Sequence, residues 1–258
     1  MEPIVKSEVV GKVGWITMNR PKKRNALSPE MVKALSDAFD QMEMDPQVKA
    51  VILQANGPAF CAGADLEYLQ EMQEYSLEEN LKDSQRLQSL FSKIYEFPKM
   101  VIAKIQGQAL AGGSGLVTVC DFSFASSQAK FGFTEVKIGF IPALVSVFLQ
   151  ERIGIGKASG LLLSGEIISA KKAEEIGLIT EEIPEEKLNN WVIQAAEKLV
   201  DGNSAFSMAE TKKLLRAQNA TERRQALEAA ALANANARSH ADCRKGIAAF
   251  LSKTKPNW

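Results

Sequence analysis

MVIAKIQGQALAGGSGLVTVCDFSFASSQAKFGFTEVKIGFIP, residues 100–142, is the stretch on which the fold turns. Its opening, Met100 to Ile105, is rich in β-branched residues and closed by Gly107, which reads as a strand buried on both faces. Ala111-Gly112-Gly113-Ser114-Gly115 then leads into the apolar Leu116-Val117-Thr118-Val119-Cys120, so glycines sit where a strand hands over to a helix. At such a junction the first backbone N–H groups lack an intrahelical partner and the helix dipole is positive, which suits an anion or a developing oxyanion. Taken alone, Gly112 and Gly113 are equally well read as a tight turn that uses positive φ.

Working outward, a second junction of the same kind precedes this one. Val51-Ile52-Leu53-Gln54 reads as another buried strand, followed by Gly57-Pro58 and then Ala59-Phe60-Cys61-Ala62-Gly63-Ala64-Asp65-Leu66, with a helix starting near Asp65. Its small residues allow a ligand close to the backbone. Two such junctions can aim two N–H groups at one oxygen. Downstream, Glu135 lies between the glycine turn of Phe131-Gly132-Phe133 and the apolar Ile138-Gly139-Phe140-Ile141-Pro142, surroundings that raise a carboxyl pKa and allow proton exchange near neutrality. The competing reading is a solvated glutamate paired with Lys137.

The N-terminal side adds the strand Val13 to Met18 and the basic loop Pro21-Lys22-Lys23-Arg24-Asn25-Ala26-Leu27, read as solvated surface or as a grip on phosphates. Ser28 caps a helix with Pro29 at its first position, and Met31, Leu35, Ala38, Phe39 and Met42 form its apolar face. Ser76 and Glu79 form a capping box for another helix that carries Leu81, Leu87, Leu90, Phe91 and Ile94 and stops at Pro98. Strand and helix alternate, which predicts right-handed βαβ units and a mainly parallel sheet. Beyond the opening stretch, helices are expected at Ala143 to Arg152, Lys157 to Leu163 and Ser169 to Ile176. From Pro184 onward the chain reads as almost wholly helical, with breaks near Gly202 and Asn219. The shift in composition divides it into an α/β core over residues 1–199 and a helical region over 200–258, whose Ile247 to Leu251 docks on the body or on another subunit.

Composition excludes several classes of function. With 258 residues, 46% of them hydrophobic, the chain buries a substantial core and is not disordered. Lys+Arg and Asp+Glu are equal at 31 each, so no net basic field gathers nucleic acid or anionic membrane. Cys61, Cys120 and Cys243 are an odd number without CxxC spacing and read as reduced structural thiols, with no zinc or other metal site. The charged, alternating start lacks a signal h-region and no stretch is long enough to span a bilayer, so a cytoplasmic location is expected. His240, the single histidine, reads as a surface or interface side chain, and neither a Ser–His–Asp hydrolase nor a phosphate-binding GxxxxGK[ST] loop is present.

Together these motifs resemble the enoyl-CoA hydratase/isomerase, or crotonase, superfamily over nearly the whole chain. The likeness runs from Asn19-Arg20-Pro21 through Ala59 to Leu66, Gly107-Gln108-Ala109-Leu110-Ala111-Gly112-Gly113 and Phe131-Gly132-Phe133-Thr134-Glu135 to the ending Lys255-Pro256-Asn257-Trp258. The resemblance implies a spiral of repeated ββα units with a C-terminal helical trimerisation region, assembled as a trimer or a dimer of trimers. It also implies an acyl-CoA substrate, with coenzyme A as part of the substrate and no separate cofactor. By the same resemblance the thioester oxygen is held by the N–H groups of Ala64 and Gly112, and Glu135 matches the catalytic glutamate. Ala62, Gly63, Ala64, Asp65 and Leu66 would follow the adenine and pantetheine arm, and Lys22, Lys23 or Arg24 would meet the phosphates. Leu69, Met72, Leu87, Phe91, Phe133 and Phe140 would wall the acyl pocket.

One position departs from the best-known hydratases, which hold water between two glutamates: the first of these matches Gly115 here. Hydration then relies on Glu135 with an ordered water or a polar neighbour such as Ser114. The run around Glu135 resembles a branch that hydrates methylglutaconyl-CoA in leucine breakdown. The alternative is a Δ3,Δ2-enoyl-CoA isomerase, which needs only one carboxylate. A non-catalytic RNA-binding or scaffold role is disfavoured by the zero net charge and by Glu135.

Overall fold

The computed structural model describes residues 2–258, with Leu66 described by its backbone alone. In chain order the strands are β1 (Val5–Val10), β2 (Val13–Met18), β3 (Ala50–Ala55), β4 (Ala59–Cys61), β5 (Met100–Ile105), β6 (Gln108–Leu110), β7 (Phe122–Ser126), β8 (Lys130–Gly132), β9 (Ile167–Ser169) and β10 (Glu181–Ile183). The helices are α1 (Pro29–Met44), α2 (Leu66–Glu71), α3 (Leu77–Glu96), α4 (Gly112–Val119), α5 (Ala143–Ile153), α6 (Ile155–Ser164), α7 (Ala170–Glu175), α8 (Leu188–Gly202), α9 (Ala205–Ala217), α10 (Ala220–Ser239) and α11 (Ala241–Leu251).

Two sheets are built in step. One has the order β1-β2-β3-β5-β7-β10 and the other β4-β6-β8-β9. Strands β3, β5 and β7 pair in parallel in the first, and β4, β6 and β8 in parallel in the second. Each turn of the chain therefore lays one long strand, bends, lays a three-residue strand at the second sheet, and in the first two turns enters a helix. This is the ββα spiral implied by the resemblance; the alternation of strand and helix alone predicts only a parallel sheet. The short strands escape pattern reading because three residues carry no period. Strand β1 escapes it too, since this edge strand is mostly exposed and pairs with β2 alone.

The long strands are buried on both faces, as their apolar runs predict. Val51, Leu53, Val101 and Ala103 face α1, α3, α4 and α5 in the main core, while Ala50, Ile52, Met100 and Ile102 face Leu188, Val192, Ala196 and Val200 of α8. Helix α1 buries the five residues its sequence nominates, behind the Ser28 cap, and α3 has its capping box at Ser76 and Glu79. The C-terminal helices turn back over their own chain. Leu227 and Ala231 of α10 join the main core, and Cys243 and Ile247 of α11 pack with Tyr68, Leu69 and Met72 around α2. The break between α10 and α11 falls at His240, an exposed side chain whose Nδ1 accepts from the Asp242 N–H at 3.2 Å and caps α11.

Glycine sets how closely the turns stack. A Cβ on Gly107, at the bend between β5 and β6, would lie 2.0 Å from the Pro58 carbonyl oxygen of the turn below. A Cβ on Gly113 would lie 2.2 Å from the Cys61 carbonyl oxygen at the end of β4. Neither obstacle is a side chain that can swing aside. Gly113→Ala is accordingly expected to lower stability by about 1–3 kcal/mol or more, whereas Gly160→Ala, at an open position inside α6, should raise it by about 0.4–1 kcal/mol. Thermal melts of the two variants beside the parent check the opposite signs.

Candidate active site

The first free N–H arises where the basic loop meets β4. Asn25, buried and at φ 52°, donates to the carbonyls of Asn56 and Ala59 at 2.9 Å each, which pins the loop to the first spiral turn. Leu27 then forms a parallel bridge to Ala64: its N–H donates to the Gly63 carbonyl at 2.7 Å, and the Asp65 N–H donates to the Leu27 carbonyl at 3.0 Å. In such a bridge the central residue's own N–H points away from its partner strand. The Ala64 N–H has no backbone acceptor among the described residues and its residue lines a cleft.

The second free N–H is that of Gly112, first residue of α4, which has no intrahelical acceptor by position. The positive φ expected of the glycine pair falls instead on Ala111, at φ 50°, while Gly112 and Gly113 are helical. The glycines serve close approach: at Gly112 a Cβ would meet Leu27 Cδ1 at 2.9 Å. Ala111 is held by its N–H to the Gly132 carbonyl at 2.7 Å. Ser114, considered in the sequence as a helper for water, is committed elsewhere. Its hydroxyl donates to the Ala109 carbonyl at 2.7 Å and accepts from the Gly132 N–H at 3.2 Å, fully buried between β6 and β8.

Glu135 sits in the 3₁₀ turn Thr134–Ile138 and lines the same cleft as Ala64 and Gly112. The residue is half-buried, but its Oε2 is shut from solvent and has no hydrogen-bond partner. Burial pushes its pKa from 4.5 up to about 7, against a smaller lowering by its own backbone N–H. No ion pair joins it to Lys137, which is exposed. The turn is braced from behind by α11: Gly139 lies against the backbone of Asp242 and Cys243, and Gly246 against that of Ile138, each so close that a Cβ would fall within 2.4 Å of a carbonyl oxygen.

Gly115 faces an apolar wall. A Cβ there would stand 2.6 Å from Val145 Cγ1 and 2.8 Å from Phe91 Cζ, both residues buried. The space that a side chain at position 115 would take is thus filled by an aromatic ring and a valine, and Glu135 is the one carboxyl of the cleft without a partner among the described residues.

The remaining expected residues divide. Ala62 lines the cleft, and Gly63, at φ 90°, lies buried behind it. Asp65 is occupied: its carboxylate caps α2 through the Glu67 N–H at 3.0 Å and pairs with Arg20 at 3.0 Å, and its N–H is bound to Leu27. The side chain expected at Leu66 lies outside the described residues. Lys22 and Arg24 are exposed and form no ion pair among the described residues, and the Arg24 carbonyl accepts from the Ala62 N–H at 3.1 Å, which puts the loop beside the cleft; Lys23 is paired with Glu67. Leu69, Met72, Leu87, Phe91 and Phe140 line the cleft, whereas Phe133 does not, being wholly buried in the core behind Glu135. Sequence reading missed the polar lining of Tyr68, Asp83, Arg86, Asn234 and Arg238. These come from three helices far apart in the chain, and no local motif joins them. The cleft encloses about 1090 Å³, part of it open to solvent.

Known proteins resemble this chain over nearly its whole length. Residues 8–258 match the family model described as enoyl-CoA hydratase/isomerase. A Thermus thermophilus protein named "Putative enoyl-CoA hydratase" is 41% identical over 248 residues, 96% of this chain and 98% of its own length. The crotonyl-CoA hydratase of Syntrophomonas wolfei is 32% identical over 96% of this chain and 94% of its own, and the 2,3-dehydroadipyl-CoA hydratase of Escherichia coli is 30% identical over 96% and 95%. The crystal structure of an enoyl-CoA hydratase from Mycobacterium avium superposes with a TM-score of 0.89 at 32% identity, each chain covered completely.

The isolated carboxyl generates a stability signature. A folded-state pKa raised above the unfolded value means that the native state binds the extra proton, so stability is complete below about 4.5 and is lost as pH rises through about 7. Relative to Glu135→Gln, which does not titrate, the parent should lose about 3 kcal/mol between these limits. Denaturant melts of both proteins from pH 4.5 to 8 measure the gap, and parallel curves would contradict the burial of this carboxyl.

Proposed function

This chain belongs to the enoyl-CoA hydratase/isomerase family, and from that premise we propose that it is a hydratase, adding water across the 2,3-double bond of an enoyl-CoA thioester. The observation that carries the reading is the convergence of three unsatisfied groups on one cleft: the Ala64 N–H, the Gly112 N–H and the Glu135 carboxyl. The relatives named for crotonyl-CoA and 2,3-dehydroadipyl-CoA hydration support the same chemistry.

In the proposed mechanism the thioester oxygen accepts hydrogen bonds from Ala64 and Gly112. Ionised Glu135 takes a proton from water as its oxygen bonds to C3, and the π electrons of the double bond move onto the thioester oxygen as an enolate. Each N–H strengthens its bond as that charge grows, a contribution of about 2.7–4 kcal/mol to the transition state for one such donor. Glu135, now protonated, returns a proton to C2 as the carbonyl reforms. A carboxyl whose pKa lies near 7 is suited to both halves, because neither giving nor taking the proton is strongly uphill. The exposed Lys22 and Arg24 are the proposed contacts of the CoA phosphates. 3-Methylglutaconyl-CoA is the proposed acyl substrate on the resemblance of the Glu135 region, and the exposed Phe206, Leu214 and Leu215 of α9 support assembly of copies of the chain into a trimer or a dimer of trimers.

Phe91 favours a second reading. Because it fills the space at Gly115, only one free carboxyl faces the cleft, which also suits a Δ3,Δ2-enoyl-CoA isomerase that moves a proton from C2 to C4 through Glu135. Products made from 3-methylglutaconyl-CoA, crotonyl-CoA and a 3-enoyl-CoA, analysed by mass spectrometry, separate the two. Gain of one water on either of the first two is expected; migration of the double bond in the third, with no hydration in the others, would make the isomerase reading correct. Glu135→Gln should lower kcat by about 10²–10⁴-fold with little change in KM, and parent activity should fall as pH drops through about 7, where the base is protonated.

A further inference from the structure

Four charged side chains line the cleft: Asp83, Arg86, Glu135 and Arg238. Three have an evident place. Glu135 stands at the reacting end. Asp83 and Arg238 neutralise one another at 2.7 Å, with the Tyr68 hydroxyl also donating to Asp83 and with Arg238 donating to Asn80 and Asn234 at 3.0 Å each. Arg86, like Glu135, has neither an ion pair nor a side-chain hydrogen bond among the described residues, and of the four it is the one cation without a carboxylate; it is exposed.

The position of Arg86 follows from the periodicity of α3. Asp83, Arg86, Leu87 and Phe91 all line the cleft, at spacings of three, four and eight residues along one helical stripe. Phe91 abuts Gly115, one helical turn past Gly112, so it marks the end where the thioester oxygen would be held. Arg86 lies five residues back along the axis, a rise of about 7.5 Å, with Leu87 between. Leu69, Met72, Leu87 and Phe140, which line the same cleft, have no side-chain group able to bind a charge, and the polar Asp83 and Arg238 are paired with each other. A cleft that holds Gly112 at one point thus also holds, beside apolar lining, a guanidinium with no carboxylate partner.

We propose that Arg86 selects acyl chains that end in a carboxylate, an inference that rests on the reading of Ala64, Gly112 and Glu135 as the grip on an acyl-CoA thioester. A guanidinium presents two parallel N–H donors that match a carboxylate. An alkyl terminus cannot use them and would strip water from the charge. The charge is free because Asp83, three residues away on the same stripe, is already committed to Arg238 and Tyr68.

The test uses two thioesters with the same enoyl core, glutaconyl-CoA with a terminal carboxylate and crotonyl-CoA without one. For the parent protein, Arg86→Gln and Arg86→Lys, kcat/KM is measured for hydration of each, and the ratio of the two values is the readout. Arg86→Gln should lower the glutaconyl-to-crotonyl ratio about 10- to 100-fold, Arg86→Lys should keep most of it, and the loss should shrink in high salt. A ratio that stays within twofold of the parent in Arg86→Gln overturns the proposal, including the case in which both substrates weaken equally, as for a contact to the CoA phosphates. A parent protein that hydrates neither thioester would instead overturn the reading of the site, and this inference with it.

Discussion

The close approach of α4 to β4, at Gly113 against the Cys61 carbonyl, is the contact on which the rest of the site depends. The two free N–H groups, of residues 64 and 112, belong to different turns of the spiral, and they face one oxygen only if those turns stack with nothing between them. Parallel pairing of β4 with β6 sets the direction, and Gly107 over Pro58 sets the spacing. The Leu27–Ala64 bridge then uses the Gly63 carbonyl on one side and the Asp65 N–H on the other, and leaves the N–H of Ala64 unpaired. Donors fixed in this way need no reorganisation when charge develops on a ligand, which is what the proposed grip on a thioester oxygen requires.

Such a site is built against stability. A buried carboxyl oxygen without a partner, an alanine at φ 50° and two donors with no acceptor each have a cost that a structural region would avoid. They persist because what surrounds them is over-determined. Arg20 binds the carboxylate of Asp65 and the hydroxyl of Ser28, so one side chain ties the N-terminal caps of α1 and α2 together. Ser114 ties β6, α4 and β8, and α11 seals the back of the Glu135 turn through Gly139 and Gly246.

What could be read from the sequence was whatever is local. The apolar face of α1, its Ser28 cap, the Ser76–Glu79 box and the runs of β3 and β5 are each written within a few neighbouring residues, and the structure bears them out. The two glycine junctions could be located, but not why they need glycine: positive φ is a local property and was expected, whereas contact with Cys61 is made across the spiral. The division into two sheets, the folding back of α10 onto α3 and α5, and the Asp83–Arg238 pair all depend on residues brought together from far along the chain. Phe133 shows the same limit, since an aromatic next to the Glu135 turn has equal local reason to face the cleft or the core.

Gly115 and Phe91 illustrate how one packing choice constrains chemistry. The volume that a side chain at position 115 would need is occupied here by the ring of Phe91 with Val145. A second carboxylate would have raised the pKa of the first by repulsion; without one, burial alone lifts Glu135 to about 7. The apolar wall thus leaves no room for a second carboxyl at position 115, and the proposed chemistry falls to Glu135, whose burial lifts its pKa. In the proposed hydration both proton transfers fall to that single carboxyl in sequence, so the proton taken from water is available to be the one delivered to carbon.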